Sequence, residues 1–227
     1  MNDGIKYLGH SAFYIKIDEY GILIDPWFRQ NQNINFDIKN ETITHIFVTH
    51  GHSDHFGDSL AISKMTGAQI VTVFETAVYY KKMGIDILGV GFGSAIEFPF
   101  GTAKLYPAVH TNSLPNGGYG GIASGIMFEL NNGIKIYHAG DTALTNEFEL
   151  IGKYDKPYYA MLPIGGYFTM GIKEAAIAAQ MIDANEIIPM HYNTFESIQA
   201  DPYDFQTEIE SMGKICHVMN ENDELDF

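Results

Sequence analysis

A chain of 227 residues with 46% hydrophobic and 13% aromatic content is long enough to bury a full core, which excludes a disordered or fibrous protein. Thirteen Lys and Arg against 28 Asp and Glu leave a formal charge of −15, which argues against nucleic-acid phosphate as the partner. The one cysteine, Cys216, excludes a disulfide framework and a cysteine-based zinc site, and no apolar run approaches the ~20 residues that span a bilayer.

Residues 1–6 lack the apolar core of a signal peptide, so a cytoplasmic location is expected. Strands are then predicted over 5–8, 12–17 and 21–25, with a hairpin turn at Asp18-Glu19-Tyr20-Gly21. Asp25-Pro26-Trp27 ends this meander, and the Asn- and Gln-rich stretch 28–42 has no period and reads as a loop. Ile46-Phe47-Val48 is a buried strand, and 57–65 suits a helix. Further on, a strand over 69–73 precedes a helix over 76–83 closed by Gly84. Residues 86–106 hold several short strands, and 112–121 reads as a flexible connection. Strands over 122–130 and 134–138 are joined by Asn131-Asn132-Gly133, a strong hairpin signal. The last third alternates: strand 160–163, helix 172–182, strand 186–190, a helix opened by Asp201-Pro202 and ending near Gly213, and a strand over 214–219. Cys216, inside that last strand, is expected to be a buried, inert thiol. Strands followed by βα alternation, twice over, predict an α/β protein with two packed sheets and helices outside, as a single domain over 1–227.

Chemistry concentrates at Thr49-His50-Gly51-His52-Ser53-Asp54-His55-Phe56, between a strand end and a helix start. Residues i and i+2 share a side only in extended chain, so His50 and His52 can grip one ion there. Asp54 and His55 face another way and can grip a second. Neutral imidazole with carboxylate suits Zn²⁺ and other borderline metals. Core packing does not call for three imidazoles and a carboxylate within six residues.

The pattern His50-x-His52-x-Asp54-His55 resembles the signature of the metallo-β-lactamase fold superfamily. The resemblance implies a four-layer αββα sandwich with a binuclear metal site. It also implies that the remaining ligands are His110, which ends Tyr106-Pro107-Ala108-Val109-His110, Asp141 in His138-Ala139-Gly140-Asp141-Thr142, and His191 in Ile188-Pro189-Met190-His191. By this likeness His50, His52 and His110 hold one metal, Asp54, His55 and His191 the other, and Asp141 bridges them. Leu8-Gly9-His10-Ser11, Ile24-Asp25-Pro26-Trp27, Gly118-Tyr119-Gly120-Gly121 and Phe168-Thr169-Met170-Gly171 are similar to a branch of metal-dependent hydrolases related to L-ascorbate-6-phosphate lactonase.

The resemblance implies a hydrolase that uses a metal-bridged hydroxide on an ester-type bond, a lactone or phosphate ester, of a small molecule. Two divalent ions are expected, Zn first, with Mn or Fe as alternatives. Asp54 would also orient the hydroxide and accept its proton. Asp25 would steady a ligand histidine, His10 would line the pocket or approach the metals, and Tyr119, Tyr167 and Asn193 would contact substrate. His45, His138 and His217 receive no role. The rival readings are a phosphodiesterase or nuclease of the same fold and a non-hydrolytic di-iron redox protein. No membrane partner is expected, and a homo-oligomer is compatible with the sequence. Neither a nucleophile elbow nor a dinucleotide loop is found; Gly89-Val90-Gly91-Phe92-Gly93 lacks the spacing of the latter.

Overall fold

The computed structural model describes residues 2–28 and 36–227; part of the loop predicted over 28–42 lies outside the described residues. In chain order the elements are β1 (Gly4–Tyr7), β2 (Phe13–Ile17), β3 (Tyr20–Ile24), β4 (His45–Val48), α1 (Ser53–Phe56), α2 (Ser59–Thr66), β5 (Gln69–Val73), α3 (Phe74–Lys81) and β6 (Ile87–Val90). There follow β7 (Ile96–Phe98), β8 (Gly101–Pro107), β9 (Ser124–Leu130), β10 (Lys135–His138), α4 (Glu147–Tyr154), β11 (Tyr159–Pro163), α5 (Ile172–Ile182), β12 (Glu186–Met190), α6 (Pro202–Ser211), β13 (Ile215–Cys216) and β14 (Glu224–Asp226). The α/β class with two mixed sheets is as expected.

Two compact units divide these elements. The first comprises residues up to Gly91 with Thr111–Ala123 and Asn220–Phe227. Its sheet runs β14-β1-β2-β3-β4-β5-β6, antiparallel through β3 and parallel from β3 to β6. The hairpin that joins β2 to β3 pairs Ile17 with Tyr20, and Asp18 takes the left-handed backbone (φ 49). Leu23, Ile46, Val48 and Ile70 form a core with Ile62, Ala77 and Tyr80 from the helices. Their strands are near-continuous apolar runs because both faces of a parallel sheet are covered. Gly57 (φ 42) separates α1 from α2, so the helix expected over 57–65 starts two residues later.

The second unit holds Phe92–His110 and Ser124–Met219. Its sheet runs β13-β12-β11-β10-β9-β8-β7, with β7 to β10 antiparallel and β10 to β13 parallel. Each unit is therefore a meander that continues into parallel strands, the order its sequence suggests. Asp201 caps α6 by accepting from the Tyr203 N–H at 2.9 Å, with Pro202 in the first turn. β13 is two residues long, shorter than the strand expected over 214–219.

Cys216 is buried in β13, and burial pushes its thiol up to about 12, with Glu210 adding to the effect. The thiolate is the reactive form, so native protein at pH 8 should resist thiol reagents. Dithionitrobenzoate should release no colour until denaturant is added; stoichiometric release from the native protein would contradict this.

Candidate metal centre

In open α/β sheets the groups that do chemistry collect beyond the carboxyl ends of parallel strands. In the first unit β3 and β4 are parallel neighbours, so Asp25, which follows β3, comes beside residues 49–56, which follow β4. The Asp25 N–H donates to the Phe47 carbonyl at 3.0 Å and holds the two strand ends together. Asp25 is fully buried, and its carboxylate accepts three hydrogen bonds. The Thr49 N–H reaches Oδ1 at 2.8 Å, the Thr49 hydroxyl reaches Oδ2 at 2.7 Å, and His55 Nδ1 lies 2.7 Å from Oδ2.

These bonds decide the tautomers. A carboxylate only accepts, so His55 carries its proton on Nδ1, and Nε2 presents a lone pair. The Thr49 hydroxyl has one proton, already given to Asp25. Its 3.0 Å contact with His50 Nδ1 is therefore accepted from the ring, and His50 Nε2 also presents a lone pair. One buried carboxylate thus orients two buried imidazoles, directly and through Thr49. His50 Nε2 lies 3.0 Å from His52 Nδ1, and His10 Nε2 lies 3.3 Å from Asp54 Oδ2. His10, Asp54 and His55 bring donor atoms within 4.8 Å of one another.

In the second unit Asp141, His191 and the loop after Pro163 follow the parallel strands β10, β12 and β11, and His110 follows β8. One carboxylate oxygen, Asp141 Oδ2, faces two rings: His191 Nε2 at 3.1 Å and His110 Nε2 at 3.5 Å. Thr142 ties this corner together. Its hydroxyl accepts from the Val109 N–H at 3.1 Å, its carbonyl accepts from the Met170 N–H at 3.0 Å, and the Ala143 N–H donates to the Val109 carbonyl at 3.1 Å.

The donors fit a divalent metal. Two nitrogens bound at ~2.0–2.1 Å to one tetrahedral ion sit roughly 3.3 Å apart. The four spacings above run from 3.0 to 3.5 Å. The Asp25–His55 contact at 2.7 Å is a short, charge-assisted hydrogen bond instead. The same set of side chains therefore sorts into an outer layer at hydrogen-bond length and an inner layer at the spacing of donors around an ion.

The backbone is strained where these groups sit. Among the described residues nine non-glycine residues have positive φ, and five of them are His10, Asp25, Tyr167, His191 and Asn193. Such conformations cost energy and persist where the surrounding structure enforces them. The other sequence-derived positions are less engaged. Tyr119 is 71% and Tyr167 81% exposed. The Asn193 side-chain oxygen accepts from the Ala200 N–H at 2.9 Å and so fixes its own loop.

Three residues without a predicted role prove structural to the site. The His138 ring accepts from the Gly140 N–H at 3.1 Å and sets the turn (Gly140 φ 61) that presents Asp141. Asn112 accepts from the Gly51 N–H and donates to the Gly120 carbonyl, both at 2.8 Å. The stretch 112–121 is accordingly a hydrogen-bonded loop rather than the flexible connection expected. Gly165 is the third. A side-chain carbon there would press into the His191 carbonyl oxygen and the Ile198 side chain. Gly165→Ala should therefore cost about 1–3 kcal/mol in urea unfolding and weaken metal retention through the shift of His191. Unchanged stability and metal content would contradict it.

No helix among the described residues is long and apolar enough to cross a membrane. Residues 4–191 match the family model described as the β-lactamase superfamily domain. A UPF0173 metal-dependent hydrolase of Staphylothermus marinus is 44% identical over 214 residues, 91% of each chain. Another from Nanoarchaeum equitans is 37% identical over 98% of this chain and 99% of its own. Among solved structures, Igni18, a metallo hydrolase from Ignicoccus hospitalis, has a TM-score of 0.89 and 35% identity over 97% of this chain and 96% of its own. The buried imidazoles and carboxylates are thus found on a chain that belongs to the β-lactamase superfamily and, within it, to the UPF0173 metal-dependent hydrolases.

Proposed function

We propose that this chain hydrolyses an ester-type bond, a lactone or a phosphate ester, in a small molecule, with His50, His52 and His110 holding one divalent ion, Asp54, His55 and His191 a second, and Asp141 shared by both. The observation that carries the reading is the tautomer lock: Asp25 and Thr49 place the protons of His50 and His55 on Nδ1, which makes Nε2 the lone-pair atom of both buried rings. Bound zinc, with manganese or iron as alternatives, would acidify a water toward pKa ~7 and polarise the scissile bond. The chain's own residues do the rest.

Asp54 is 22% exposed, the least buried carboxylate of the set, and holds the attacking water and takes its proton at Oδ2. His10, whose Nε2 lies 3.3 Å from that oxygen, lines the same corner. Asp25 keeps His55 and His50 from rotating or changing tautomer, a role worth 10–100-fold in metal affinity at comparable sites. A formal charge of −15 favours a small-molecule substrate over nucleic acid.

The test is a panel of lactones, carboxylic esters, phosphate monoesters and phosphodiesters offered to protein of defined metal loading. Turnover of a lactone or phosphate monoester, lost on chelation and restored by zinc, is expected. Hydrolysis confined to phosphodiesters, including RNA, would replace this reading with the nuclease one.

A further inference from the structure

A cleft of about 560 Å³ opens in the first unit, and His52 forms part of its lining. Its volume falls within the range of ~300–1,000 Å³ usual for small-molecule sites. The walls are Trp27, Phe56, Leu60, Tyr80, Leu114 and Pro115. Among the described residues that line it none is Asp, Glu, Lys or Arg. Phe56 and Tyr80 stack at 4.3 Å between ring centroids and 13° between planes, which makes one wall flat and rigid. Burial pushes the Tyr80 phenol up to about 12, so that wall stays uncharged at neutral pH.

The polar lining, Gly51, His52, Ser53 and Ser113, belongs to the strand end that carries the metal donors and to the loop beside it. Gly51 lets that loop approach. A Cβ there would lie 3.1 Å from Asn112 Oδ1 and 3.3 Å from Leu114 Cδ2. Trp27 connects the apolar lining to the donors as well, since its ring packs edge-on against His10 at 5.0 Å between centroids.

We propose that this cleft receives the uncharged, apolar substituent of the substrate, the alkyl or aryl group of a carboxylic ester or lactone whose scissile bond lies at the His52 end. Among the described lining residues there is no cation to hold a charged substituent, so the part of the substrate seated in this cleft is uncharged. This rests on the hydrolase reading for the chemistry, but the binding part stands without it.

Trp27 is the only tryptophan of the chain, so the indole fluorescence comes from one residue of this lining. The full-length, zinc-loaded protein is titrated with 6-bromohexanamide, a neutral probe that cannot be turned over as an ester and whose bromine quenches indole on contact. The control is 3-bromopropanamide, which carries the same head group on a chain three methylenes shorter. Saturable quenching by 6-bromohexanamide, at least tenfold tighter than by the shorter amide and weakened tenfold or more in Leu60→Glu, is expected. Leu60 is half-buried, and far-ultraviolet circular dichroism checks that the variant folds; Leu60→Ala, a milder change, should weaken the probe severalfold.

In a second arm, kcat/KM for a series of linear acyl esters should rise roughly two- to fourfold per added methylene up to the length of the cleft, and the slope should flatten in Leu60→Glu. Quenching that is linear, or equal for the shorter amide, overturns the proposal, as does a flat acyl series in the wild type. Saturable amide binding with no ester or lactone turned over would sink the hydrolase reading while leaving the cleft's preference standing. Turnover without amide binding or chain-length dependence would do the reverse.

Discussion

Asp141→Ala is expected to lower turnover of any substrate found for this chain by roughly 10³-fold, the rate equivalent of the several kcal/mol that metal ions contribute to such transition states. The reason lies in one oxygen. Asp141 Oδ2 faces His191 Nε2 at 3.1 Å and His110 Nε2 at 3.5 Å, the arrangement expected of a carboxylate shared between two ions. On the proposed two-ion assignment, removing it would take a donor from both, so metal content should fall along with turnover. The fold should survive, because alanine fits the space and the substitution removes a buried charge rather than orphaning one. Asp141→Asn, nearly the same shape with one weaker donor oxygen, should fall between. Elemental analysis and a steady-state assay on the same preparations check this. Full metal content with full turnover in Asp141→Ala would show that the carboxylate is merely structural.

Asp25→Ala should act by a different route and show in stability first. The carboxylate is fully buried and accepts from the Thr49 N–H, the Thr49 hydroxyl and His55 Nδ1. Alanine leaves a buried N–H and a buried hydroxyl without their acceptor, and each such loss costs about 1–3 kcal/mol. A total near 3–5 kcal/mol is expected, a large share of the ~5–15 kcal/mol that stabilises a typical domain. The tautomers of His50 and His55 are no longer imposed, so affinity for metal should drop 10–100-fold even in the folded fraction. Asp25→Asn separates the two effects. Its carbonyl oxygen can still accept from the Thr49 N–H, whereas its amide N–H₂ cannot accept from His55 Nδ1. Stability should then recover in part while metal affinity remains low. Urea unfolding with and without zinc, and a competitive chelator titration, distinguish these outcomes. A variant as stable and as tight for metal as the wild type would contradict the account.

The fold was legible where the signal is local. The alternating run 13–17, the apolar run 46–48, the Asp201-Pro202 cap and the alanine-rich α5 each state their structure within a few residues, and each is observed. α4 (Glu147–Tyr154) was not expected, because eight residues with two buried apolar positions, Phe148 and Ile151, give too short a period to stand out from a turn. β14 (Glu224–Asp226) also escaped. It is an acidic three-residue edge strand whose pairing with β1 joins residues more than two hundred positions apart, and nothing local encodes that partner.

The site divides along the same line. The cluster at 50–55 is dense enough to stand out by itself, whereas His110, Asp141 and His191 are single residues in ordinary surroundings that only a family pattern singles out. Asp25 was expected to steady a histidine, and its carboxylate does lie 2.7 Å from His55 Nδ1. The Thr49 relay to His50 was not foreseen, because a threonine at a strand end has many uses and only geometry picks one. Asn112 lies in a Gly- and Asn-rich stretch whose composition suggests a flexible connection. Its side chain bonds to Gly51, 61 residues earlier, a contact that composition cannot announce. The aromatic cleft beside His52 was equally hidden, since Trp27, Phe56, Tyr80 and Pro115 come from four separate parts of the chain.

The most direct measurement is metal stoichiometry against turnover, by elemental analysis of protein stripped with a chelator and reloaded in steps with zinc. Two ions bound per chain are expected, with activity that rises with loading and vanishes in the stripped protein. Turnover that persists in metal-free protein, or tight zinc binding undiminished by the combined loss of His50, His55 and Asp141, would contradict this.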